Sequence, residues 1–112
     1  MSDFIVTREF EGLIEEKNKY TFNGDLVVEG SLIVNLDKTL FVTGHIYVSC
    51  GIEAGCVIKA GEGIEAGWGI EAGYGIKAGD GIEAGLGIEA GSGIKAGDGI
   101  KAGSGIEAVW VS

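Results

Sequence analysis

From Ile52 onward an isoleucine stands at every sixth position without a slip: Ile52, Ile58, Ile64, Ile70, Ile76, Ile82, Ile88, Ile94, Ile100 and Ile106. An alanine follows each at the second position, from Ala54 to Ala108, and one charged residue lies between them. Two apolar residues flanking a charged one make a short strand with both apolar side chains on one face. Glycine follows each alanine up to Ala102, and a second usually precedes the next isoleucine. Glycine lets the backbone turn between strands. A strict short period of strand and corner excludes an amphipathic helix or a hairpin sheet and specifies a solenoid.

The variable positions set the number of strands per turn. Every third hexad carries Glu53, Glu71, Glu89 and Glu107 in one column. The next column carries Lys59, Lys77 and Lys95, and the third Glu65, Glu83 and Lys101. The acids Glu62, Asp80 and Asp98 recur only beside the lysine column. The expected fold is therefore all-β, a triangular parallel β-helix (β-solenoid) of hexapeptide repeats with three hexads, one per side, in each turn. Upstream the frame persists in other letters: Tyr20/Phe22, Leu26/Val28 and Leu32/Val34. A two-residue insertion near Leu36-Asp37-Lys38 precedes Leu40/Val42 and Ile46/Val48. The coil is expected to span residues 20–112 as fifteen hexads in five turns, behind an N-terminal capping segment over residues 1–19. In that segment "EFEGLIEEKNK" permits a helix, and "VWVS" at residues 109–112 breaks the glycine pattern as a terminal cap would.

Outward positions of the early rungs are apolar: Val27, Ile33, Phe41 and Tyr47. Either Phe4, Val6, Phe10, Leu13 and Ile14 lie over them, or a second copy of the chain does. A homodimer is the expected assembly.

Little in the chain supports chemistry. His45, the single histidine, reads as a corner residue, and its spacing from Cys50 matches no zinc pattern. Cys50 and Cys56 occupy different corners and are not expected to bridge. No catalytic constellation, metal or cofactor is expected, because regularly spaced surface carboxylates give no environment that separates two pKa values. A net charge of −9 disfavours direct binding to nucleic acid or anionic membranes and favours a basic protein surface. No apolar run approaches the length of a membrane span, and Met1-Ser2-Asp3-Phe4 does not open a signal peptide, so a cytoplasmic location is expected.

The "GxIxAG" cadence from Leu26 to Ala108 resembles bactofilins, polymer-forming bacterial cytoskeletal proteins built as triangular β-helices. The near-perfect "GIEAG/GIKAG" wording is more similar to short phage and mobile-element proteins with IEAG and IKAG repeats. Small acidic proteins of such elements include anti-CRISPR inhibitors, some of them nucleic-acid mimics. The second resemblance implies a host bacterial cytoplasm and a nucleic-acid-binding effector, such as a CRISPR-associated protein, as partner. The residues expected to meet that partner are Glu53, Glu65, Glu71, Glu83, Glu89 and Glu107, with Trp68, Tyr74 and Trp110 as aromatic anchors. The bactofilin resemblance implies instead a self-assembling scaffold.

Overall fold

A computed structural model describes residues 3–112; Met1 and Ser2, the start of the expected capping segment, lie outside the described residues. The described chain is all β. Its strands run β1 (Asp3–Val6), β2 (Leu13–Glu15), β3 (Lys19–Phe22), β4 (Leu26–Val28), β5 (Ser31–Val34) and β6 (Thr39–Val42). They continue as β7 (Ile46–Val48), β8 (Ile52–Ala54), β9 (Ile58–Ala60), β10 (Ile64–Ala66), β11 (Ile70–Ala72) and β12 (Ile76–Ala78). The last six are β13 (Gly81–Ala84), β14 (Gly87–Ala90), β15 (Gly93–Ala96), β16 (Gly99–Ala102), β17 (Gly105–Glu107) and β18 (Trp110–Val111).

Three sheets form the sides of a β-solenoid, because from β3 onward the chain pairs each strand with the strand one turn away rather than with the next in sequence. One side runs β1-β5-β8-β11-β14-β17, the second β4-β7-β10-β13-β16, and the third β2-β3-β6-β9-β12-β15-β18. All pairings are parallel except β2 with β3. Ile70 pairs with Ile52 and with Ile88, so the repeat of three hexads is the register itself. In the first turn the step is longer by two residues: Leu40 pairs with Tyr20 and Ile46 with Leu26. The insertion read from the sequence is where that difference arises.

The core is a column of inward pairs. Isoleucines from Ile46 to Ile94 are 0–2% exposed, and the alanines from Ala54 to Ala90 are 2–6% exposed. Charged residues between them face outward, as the alternation of a strand dictates. Corners are also hydrogen-bonded from turn to turn: Trp68 donates its N–H to the Cys50 carbonyl and Tyr74 to that of Cys56.

Both ends depart from the sequence reading. The N-terminal segment holds no helix among its described residues. Instead β1 joins the first side as an extra rung, Val6 opposite Val34. Gly12 turns the chain at φ +97°, and β2 returns antiparallel on β3. This hairpin covers the outer edge of β3, a better use of the residues than a helix that would leave that edge unpaired. Phe10 joins Phe4, at 5.3 Å between ring centroids, to Phe22 at 5.6 Å, and the cluster closes that end of the core. At the other end "VWVS" forms a further rung rather than a lid. β18 pairs with β15, and Val109, Trp110 and Val111 stay 81%, 51% and 49% exposed.

Candidate functional site

The expected acidic column is brought together. Glu71 stands directly opposite Glu53 and Glu89, and Glu89 opposite Glu107. Four carboxylates thus run down one side at the strand spacing of about 4.8 Å. Among the described residues no lysine or arginine forms an ion pair with any of them. The proximity leaves a mark on Glu107, whose carboxyl pKa is raised above its ordinary value of 4.5. A hydrogen bond shared with Glu89 is the main cause, followed by the charge of Glu89 and then burial.

A raised carboxyl pKa means that the folded chain holds a proton the unfolded chain releases. The resulting stabilisation is full below the unfolded pKa and is lost as pH rises through the folded one. Acidification from neutrality toward the ordinary carboxyl value of 4.5 should therefore raise the melting midpoint through this pair. Glu107→Gln should flatten that part of the profile, measured by thermal unfolding followed by circular dichroism.

Aromatic and aliphatic side chains border this face. Trp68 and Leu86 stack on the corner between the second and first sides, with Leu86 donating its N–H to the Trp68 carbonyl. They are each 54% exposed, and Trp68 lines one open concavity with all four glutamates. Tyr74 stands on the opposite corner, between β11 and β12, at 60% exposure. Trp110 lies farther along, its indole packed on Gly93 where a methyl group would otherwise sit. The concavities beside the ladder are shallow and open, suited to a surface partner rather than an enclosed small molecule.

Other expected site residues separate. Glu65 and Glu83 belong to the second side, below Tyr47 and above Lys101. The four apolar residues expected at a self-association surface lie on three sides. Val27 and Tyr47 are register partners on the second, Ile33 is on the first and Phe41 on the third. The N-terminal segment does not lie over them, since β1 stacks edge-on and sets Ile5 beside Ile33. Phe41 is covered from within its own sheet by the ammonium groups of Lys19 and Lys59, at 5.0 and 5.1 Å from the ring centroid.

Among the described residues, no lysine of the third side pairs with the acid of its own hexad. Lys59 lies over Phe41, and Glu62 turns instead toward His45, whose Nδ1 is 3.5 Å from Oε1. Among the described residues Lys77 and Lys95 form no ion pair with Asp80 and Asp98. The strand holds lysine on the flat of the side while the acid sits on the corner, so the two point apart.

His45 also lies 3.8 Å from Asp25 Oδ1. Sequence reading missed this group because Asp25 precedes the insertion, so its partner lies two residues beyond the regular step of three hexads. Counting the two-residue insertion into the frame would have placed Asp25 one rung from His45. No disulfide joins the two cysteines; Cys50 is buried and Cys56 half-buried. No family model, no curated protein and no solved structure matches this chain.

Proposed function

We propose that the chain is a non-enzymatic acidic binding protein that inhibits a nucleic-acid-binding effector by occupying its basic site. The ladder Glu53-Glu71-Glu89-Glu107, in direct register and without ion pairs among the described residues, carries this reading. Like charges on directly opposed strand positions cost a few tenths of a kcal/mol, up to about 1 each. Alternating sign relieves that cost, as Glu83 opposite Lys101 does on the second side, whereas Lys59, Lys77 and Lys95 on the third keep like charges in register as the first side does. On the first side the repulsion is retained, and a basic groove would relieve it. Trp68 and Tyr74 on either border supply anchors of the kind that hold interfaces together. The mobile-element resemblance points to a CRISPR-associated effector as one such partner.

The test starts from the effector recovered on the immobilised chain from host lysate, followed by stopped-flow association of the purified pair. Replacing Glu53, Glu71 and Glu89 together by lysine moves the net charge from −9 to −3. At low salt it should slow association by about tenfold or more, because long-range attraction acts mainly on the on-rate. Trp68→Ala should instead speed dissociation by about tenfold. A triple variant that associates as fast as the parent at low salt excludes the mimic.

One observation favours a scaffold instead. At the C-terminal rung the inward residue Ile106 is 40% exposed and β16, β17 and β18 offer unpaired outer edges. Strand edges of this kind template end-to-end growth. Mass by light scattering across concentrations separates the two, since growth of this kind has no fixed stoichiometry.

A further inference from the structure

We propose that Asp25, His45 and Glu62 form a binding site for one divalent transition-metal ion of the zinc type. The three residues come from successive turns at one corner, and their ligand atoms lie within 4.8 Å of one another. Metal–ligand bonds of about 2.0–2.2 Å in a tetrahedron hold neighbouring ligand atoms about 3.3–3.6 Å apart. The 3.5 Å from His45 Nδ1 to Glu62 Oε1 meets that span, and the 3.8 Å to Asp25 Oδ1 is slightly wider. With the ring proton on Nε2, Nδ1 presents its lone pair toward both carboxylates. One imidazole and two carboxylates leave a fourth position for water and carry enough negative charge to neutralise a divalent ion.

The site is largely built before any ion arrives. Asp25 Oδ1 accepts the backbone N–H of His45 at 2.8 Å, which fixes that carboxylate beside the ring. It occupies the space a side chain at position 44 would need, and Gly44 leaves that space clear. The imidazole stacks on Tyr47 with centroids 5.1 Å apart and planes 7° apart, and its other edge faces bare Gly63. Ligands held by their surroundings lose little freedom on binding. The nitrogen ligand separates this group from the plain acid run of Asp80 and Asp98 farther down the corner. Hard oxygen-seeking ions such as magnesium gain little from an imidazole.

Zinc chloride titrated into the full chain tests the site. Because His45 is the only histidine, imidazole NMR reports on it without ambiguity. Zinc should shift the His45 ring resonances and magnesium should not. At about one hundred times Kd, zinc should raise the melting midpoint by about 10 °C, since the ion ties three turns together. Asp25→Asn and Glu62→Gln should each weaken zinc about tenfold or more, the scale on which even outer-shell groups act. Asp98→Asn, on the same corner but distant, should leave it unchanged. Zinc that leaves the His45 resonances in place would overturn the site. So would zinc affinity that survives His45→Gln, or that Asp98→Asn lowers as much as Glu62→Gln does.

Discussion

Ile70→Ala should lower the unfolding free energy by about 2–5 kcal/mol, a large share of the total for a chain of this size. Ile70 is 2% exposed and lies between Ile52 and Ile88 in the inward column. The strands on both sides are fixed at the spacing set by their hydrogen bonds, so the wall cannot move in to fill the gap. Its companions across the interior are other isoleucines and alanines, and the alanine methyl cannot swing into the void. The expected cost therefore includes most of the cavity term as well as the lost transfer energy. Ile106→Ala makes the control. It removes the same atoms at the last rung, where the side chain is already 40% exposed, and should cost clearly less. Urea unfolding read by circular dichroism gives both midpoints and shows whether the slope is kept. Equal losses at the two positions would mean that inward packing is not what holds the coil.

The repeat made this core legible because register and sequence period coincide. Once strands pair three hexads apart, the identity of Glu53 predicts the neighbourhood of Glu71 without knowledge of any contact. Features that depend on a departure from the period were harder to read. Lys59 and Glu62 share a hexad yet part company, because one sits on a strand and the other on a corner. Val109 and Trp110 both donate their N–H to the Ser92 carbonyl, at 2.7 and 3.2 Å. That corner is one residue short, so Val111 rather than Ser112 falls opposite Ile94. In the N-terminal segment local helix preference lost to the open edge of β3, a tertiary demand that no window of the sequence displays. The Asp25-His45-Glu62 group depends on the same kind of departure, an insertion that changes one turn's length. The acidic face was legible for the opposite reason, since it repeats with the coil.

Gly73→Ala is the second large expected effect, and it corrects the reason given for the repeat's glycines. None of them takes a positive φ; only Gly12, Gly24 and Gly30 do. What the glycine after alanine provides, from Gly61 to Gly103, is room. A Cβ on Gly73 would press into the carbonyl oxygen of Gly55 one turn back and come 3.0 Å from its carbon. Both are backbone atoms, and Gly73 is itself tied to that turn by its N–H on the Ala54 carbonyl at 2.9 Å. Neither side can yield without loosening the stack, so a loss of about 1–3 kcal/mol or more is expected. The glycine before isoleucine is less crowded: at Gly69, Gly81 and Gly87 a Cβ would lie 3.2–3.5 Å from the next turn's carbonyl oxygen, and the last turn has no such neighbour. Gly99 has nothing within 4 Å of its Cβ position, so Gly99→Ala should be neutral or stabilise by about 0.4–1 kcal/mol through the unfolded chain. Matched urea midpoints would decide it, and an equal loss at both sites would remove the close-approach account. If the asymmetry holds, folding reserves the inward pair and one glycine of each hexad. It leaves the next corner residue, occupied in turn by Trp68, Tyr74, Asp80, Leu86, Ser92 and Asp98, exposed. Those exposed residues can change at little cost to the coil, so the aromatic borders of the acidic face stay available for the partner contact proposed above.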